Sequence, residues 1–122
     1  MKIGILALQG NFHQHKMVLD ILGIQNTFIY HAGELEKCDS LIIPGGESTT
    51  ISKQVDNNQM RDPLCDFGMT NPILGTCAGM IMLSTTDSAD NIRPLNVMDF
   101  HVKRNAWGRQ AHSFSTDIKL DF

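Results

Sequence analysis

Pro72-Ile73-Leu74 is an apolar run that leads into Gly75-Thr76-Cys77-Ala78-Gly79, and Met80-Ile81-Met82-Leu83 leads out of it. One cysteine thus lies between two glycines where a strand is expected to turn into a helix. Few arrangements accept such a stretch. The turn of a strand-to-helix elbow is tight, and close packing around its tip leaves little room for side chains on either side. A helix beginning there presents free backbone N–H groups and the positive end of its dipole, which favour thiolate over thiol. Cys77 is therefore a candidate nucleophile, set against the ordinary alternative of a buried, inert cysteine.

The rest of the chain alternates in the same way. Lys2 to Leu8 is a glycine-interrupted apolar run suited to a strand buried on both faces, and Phe12, Val18, Leu19 and Leu22 then recur at roughly helical spacing up to Gly23. Ile24 to Tyr30 reads as a second strand, and Leu41-Ile42-Ile43 as a third, ended by Pro44-Gly45-Gly46. Helical segments are expected over Ser48 to Val55 and Met60 to Phe67. Alternating strands and helices imply an α/β fold, an open, mostly parallel sheet with helices on both faces. Beyond Leu83, Ser84 to Asp90 reads as a polar loop, with shorter strands over Asn96 to Val102 and His112 to Leu120.

Composition narrows the function classes. The 122 residues are 42% hydrophobic and 19% charged, which fits one globular domain, and the net charge of −3 carries no Lys/Arg cluster. Nucleic acid and anionic membrane surfaces are therefore not expected partners. The apolar run at the N-terminus is too short for a signal segment or a membrane span. Cys38, Cys65 and Cys77 are widely spaced with no C-x-x-C, which argues against a disulfide framework or a zinc site and for a reducing cytoplasm. No metal is expected.

Ligands of a doubly wound sheet sit outside the carboxyl ends of its strands, so Gly45-Gly46-Glu47-Ser48 and Cys77 are expected to share one crevice. There a backbone N–H of Gly45-Gly46, together with that of Ala78, can form an oxyanion hole for acyl transfer. Gly45-Gly46 reads equally well as a plain tight turn, and Ser48 as a helix N-cap or a substrate contact. In the polar loop Arg104 to Gln110, Arg109 offers a planar fork suited to a carboxylate and Trp107 an apolar wall, although a solvated arginine is the commoner case.

Four stretches, in this order, closely resemble the glutaminase-subunit family of pyridoxal 5′-phosphate synthase, which belongs to the class I glutamine amidotransferases. They are Leu6-Ala7-Leu8-Gln9-Gly10, Ile42 to Thr50, Gly75-Thr76-Cys77-Ala78-Gly79 and Arg104-Asn105-Ala106-Trp107-Gly108-Arg109-Gln110. The elbow alone would indicate only the superfamily. The Pro-Gly-Gly-Glu-Ser-Thr-Thr and Arg-Asn-Ala-Trp-Gly-Arg-Gln stretches point to this branch. The resemblance implies a flavodoxin-like fold with Cys77 attacking the side-chain amide of L-glutamine through a glutamyl thioester. It implies Gly46 and Ala78 as oxyanion donors, Gly46, Glu47 and Ser48 as the glutamine-binding turn, and Arg109 as the arginine contact. Ammonia would pass to a synthase subunit, a (β/α)₈ barrel. Pyridoxal phosphate would be the pathway product, so no cofactor is expected.

The family's general base is a histidine in a Phe-His-Pro-Glu segment, for which the sequence has no counterpart. The single amidotransferase domain over residues 1–122 is therefore expected to be incomplete at its C-terminal end. Of the five histidines, His13, His15, His31, His101 and His112, the first two lie on the first expected helix and read as surface or partly buried structural residues, and His101 and His112 flank the Arg109 loop, from which either could approach the crevice. Two readings stand: a glutamine-hydrolysing subunit, and a non-catalytic homologue that keeps the crevice or the partner surface.

Overall fold

The computed structural model describes residues 1–85, 91–104, 106–108 and 114–121. The elements follow in the order β1 (Ile3–Leu6), α1 (Phe12–Ile21), β2 (Asn26–Ile29), a 3₁₀ helix (Ala32–Lys37), β3 (Ser40–Ile43), α2 (Ser48–Asn57), α3 (Arg61–Thr70), β4 (Ile73–Gly75) and α4 (Ala78–Leu83). The strands form one sheet in the order β2-β1-β3-β4, with every pairing parallel. The α/β expectation holds, and α2 and α3 each run a few residues past the helices read from the sequence.

Strand side chains point alternately to the two faces, and both faces are apolar. Ile5 and Ile42, in register across β1 and β3, meet Leu19, Phe12 and Phe28 beneath α1. Leu6, Ile29, Leu41 and Ile43 turn the other way, into the larger core with Ile51 and Val55 of α2, Leu64 and Phe67 of α3, and Met82 and Leu83 of α4.

The chain steps from β1 outward to β2 and then returns to the other side of β1 with β3, so the order reverses between β1 and β3. Their carboxyl ends form the crevice where such sheets take ligands. The turns after β1 and β3 lock together there. Asn11 N–H donates to Gly45 O at 2.8 Å, and Glu47 N–H to the Gln9 side-chain oxygen at 3.0 Å. Gly10, at φ +99°, lies so close that a Cβ would overlap the Gly45 carbonyl oxygen.

Residues 91–104 depart from the sequence expectation. Asn96 to Val102 is not a strand, and the described part of His112 to Leu120, residues 114–120, contains none; His112 itself lies outside the described residues. The free carbonyls at the end of α4 capture this segment instead. Leu95 N–H donates to Met82 O at 2.7 Å, Met98 N–H to Leu83 O at 3.0 Å and Asn96 N–H to Ser84 O at 3.2 Å. Positive φ at Asn91 and Asn96 breaks the extended run that a sheet edge would need.

Candidate active site

Cys77 stands between β4 and α4 as the residue preceding the first helical turn, at φ 51° and ψ −111°. A positive φ is rare for a side chain larger than glycine and here aims an exposed thiol outward. The flanking glycines make the turn possible. Gly79 lies on β3, where a Cβ would overlap the Ile43 carbonyl oxygen, and a Cβ on Gly75 would come within 2.7 Å of the Leu83 side chain. A Cβ on Gly45 would stand 3.1 Å from that of Cys77, so the β3 turn and the elbow face each other closely.

Together they border a cleft of about 340 Å³. Gly46, Glu47 and Ser48 form one side and Cys77 and Ala78 another, while Lys103 and Arg104 reach in from the segment held on α4. The structure thus brings together Cys77, Gly46, Ala78, Glu47 and Ser48 as the sequence predicts. Arg109 lies outside the described residues. Trp107 does not border the cleft; it is exposed and packs edge-on against Phe114 at 5.5 Å. Sequence reasoning missed Lys103 and Arg104 as cleft residues. The stretch carrying Arg104 was recognisable, but which cation turns inward depends on how residues 95–98 register on α4.

Glu47, and not Ser48, caps α2. Its carboxylate accepts from Thr49 N–H at 3.1 Å, Thr50 N–H at 2.7 Å and the Thr50 hydroxyl at 2.6 Å, and also from the Thr49 hydroxyl. Ser48 is the buried first residue of the helix. The hydroxyls of Thr49 and Thr50, followed by the Thr50 amide, pull the Glu47 pKa down to about 2. A carboxyl whose folded pKa is depressed stabilises the fold above its unfolded value of 4.5 and loses that contribution as pH falls toward 2. Glu47→Gln is accordingly expected to lower the urea midpoint at pH 7 by an amount corresponding to about 1 kcal/mol, and to narrow its difference from wild type steadily between pH 5 and 2. A constant difference across that range would contradict the cap.

His15 supports the elbow from behind, its Nε2 lying 3.1 Å from the Thr76 hydroxyl. None of the four described histidines borders the cleft. The other two thiols differ from Cys77 in setting. Burial pushes the Cys38 and Cys65 thiols up from their ordinary value, and the Cys65 thiol donates to Leu95 O. Among the described residues no cluster of His, Cys, Asp or Glu can hold a metal ion, and no helix is long and apolar enough to cross a membrane.

A parallel sheet with a strained cysteine at a strand-to-helix elbow, facing a glycine turn on the neighbouring strand, defines an α/β protein of the nucleophile-elbow class. Residues 5–122 match the SNO glutamine amidotransferase family, and the chain belongs to that family. It is 48% identical over 98% of its length to the pyridoxal 5′-phosphate synthase subunit PdxT of Dehalococcoides mccartyi, of which it covers 63%. It is 43% identical over 98% of its length to the PdxT of Moorella thermoacetica, covering 64% of that protein. A crystal structure of a glutamine amidotransferase superposes with a TM-score of 0.82 at 39% identity, over 92% of this chain and 61% of that one. The chain therefore spans a little under two thirds of the length of these relatives.

Proposed function

We propose that residues 1–122 form one glutamine amidotransferase domain, the glutaminase side of a pyridoxal 5′-phosphate synthase. The Cys77 thiolate attacks the side-chain amide of L-glutamine and the carbonyl oxygen becomes an oxyanion, which accepts hydrogen bonds from the Gly46 and Ala78 N–H groups. Collapse with proton transfer to the departing nitrogen releases ammonia and leaves a glutamyl thioester. Water then adds to the thioester, giving glutamate and the free thiol. Gly46, Glu47 and Ser48 hold the substrate along the β3 turn. Arg109 contacts it, and the cationic wall of Lys103 and Arg104 suits its carboxylate. Ammonia passes to a synthase subunit built as a (β/α)₈ barrel, in the cytoplasm, and the chain itself needs no cofactor.

The observation that carries this reading is the exposed Cys77 thiol on a strained elbow across the cleft from Gly46. The alternative is a non-catalytic homologue that keeps the crevice or the partner surface but lacks the positioned acid and base that the release of ammonia and the attack of water both need; the family match supports the glutaminase. A chloroketone analogue of glutamine tests the first reading directly. It is expected to alkylate Cys77 alone, with glutamine protecting, while Cys38 and Cys65 stay unmodified. Ammonia release by the chain, with and without the synthase subunit, separates the two readings. Without a base, turnover is expected to fall by a factor on the order of 10²–10⁴. Labelling spread over all three cysteines, indifferent to glutamine, would overturn the site.

A further inference from the structure

We propose that Arg61, the first residue of α3 and not itself a cleft residue, is a positioning residue that sets the cationic wall facing Cys77. This rests on the glutaminase reading of the cleft. Arg61 is only 9% exposed, and a guanidinium at that depth needs acceptors for its donors. It has one for each of its five N–H groups. Asp56 takes a bidentate pair, from Nε at 2.5 Å and Nη2 at 3.1 Å. Nη2 also reaches the Ser52 hydroxyl at 3.5 Å, and Nη1 donates to Arg93 O at 2.7 Å and Pro94 O at 3.2 Å. Ser52 closes the circuit, accepting from Arg93 N–H at 2.9 Å.

The clamp thus joins α2, α3 and the start of the irregular segment. Immediately downstream, Leu95 and Met98 N–H donate to the last two carbonyls of α4 and Asn96 N–H to that of its C-cap Ser84, on the helix that Cys77 caps at its other end. One short stretch is therefore fixed at both ends, to Arg61 and to the nucleophile's own helix, and it runs on into Lys103 and Arg104. Backbone carbonyls bound by a rigid, two-dimensional fork have little freedom to slide. Removing the fork takes the donor from Pro94 O and leaves Arg93 O only the long Ser52 hydroxyl contact at 3.4 Å and Asp56 only the looser Arg93 ion pair at 3.7 Å, which frees the segment to shift along α4. A displacement of this kind alters how substrate is held without touching the thiol.

The test uses Arg61→Met, Arg61→Lys and the milder Ser52→Ala, with Leu19→Ala in the core beneath α1 as a control for general destabilisation. Saturation kinetics of the chloroketone analogue separate its binding constant from its maximal alkylation rate, and iodoacetamide reads the bare thiol. Arg61→Met is expected to weaken binding roughly tenfold with the maximal rate and the iodoacetamide rate little changed. Arg61→Lys should recover part of the loss, and Ser52→Ala should show a smaller effect of the same kind. Leu19→Ala should leave binding unaltered. Backbone hydrogen exchange over residues 92–104 should speed up in Arg61→Met and not in Leu19→Ala. Unchanged binding in Arg61→Met, or equal weakening by Leu19→Ala, overturns the proposal. If Arg61→Met does not fold, Ser52→Ala decides by the same readings. If the wild type shows no saturation and no protection by glutamine, the glutaminase reading fails instead, and the exchange of residues 92–104 still decides the role of Arg61.

Discussion

Gly79→Ala is expected to destabilise the protein severely, at a cost of about 4 kcal/mol or more against the 5–15 kcal/mol that holds a typical domain together. The added methyl would overlap the Ile43 carbonyl oxygen and lie 2.8 Å from the Ile43 carbonyl carbon. Overpacking a core costs about 1–3 kcal/mol when side chains can yield. Here both clashing atoms are backbone, in the strand that pairs with both β1 and β4, so relief requires moving α4 bodily away from β3. Gly33→Ala is the matched comparison, since nothing lies within 4 Å of a Cβ there and its φ is not positive. It is expected within about 0.5 kcal/mol of wild type. Urea titrations followed by circular dichroism read both. A Gly79→Ala protein as stable as Gly33→Ala would mean that α4 does not rest on β3 as described, and the placement of Cys77 would fall with it.

What could be read from the sequence follows from where its signals are local. The runs Lys2 to Leu8 and Leu41 to Ile43 are apolar without alternation, which a parallel strand buried on both faces requires, and they became β1 and β3. The elbow was legible because its two glycines bracket one cysteine within five residues, although only Gly75 is demanded by its near neighbours Gly79 and Leu83, while Gly79 is demanded by β3. The shared crevice followed from topology, since loops at strand carboxyl ends converge whatever their side chains. The rest depends on partners distant in sequence. Asn96 to Val102 has the apolar character of a strand, yet the unsatisfied carbonyls of α4 and the positive φ of Asn96 draw it into an irregular path. Arg61 opens a helix as an ordinary surface residue would, and only Arg93 and Pro94, more than thirty residues on, make it a buried clamp. Of the two roles left open for Ser48, the cap falls instead to Glu47, one residue earlier, although serine is the commoner cap. Two threonines following Glu47 give its carboxylate four donors, which a hydroxyl at Ser48 could not match.

Replacing Cys77 is expected to separate chemistry from stability. Cys77→Ala and Cys77→Gly should both abolish labelling by the chloroketone analogue, and the loss of a covalent nucleophile typically removes on the order of 10⁶ of turnover. Their stabilities should differ. At φ 51° and ψ −111° any side chain with a Cβ is strained, by about 1–3 kcal/mol in typical cases. Alanine keeps the Cβ and therefore the strain, so Cys77→Ala should melt close to wild type. Glycine relieves the strain but gives the unfolded chain more freedom, worth about 0.4–1 kcal/mol. The balance should leave Cys77→Gly more stable than Cys77→Ala by about 1 kcal/mol, a rise in Tm of roughly 3–5 °C for a chain of this length. A residue that would be better as glycine for folding, yet carries the exposed thiol of the site, is held there by what the thiol does. Equal melting temperatures for the two variants would remove that argument, leaving Cys77 in an ordinary turn that any side chain can occupy.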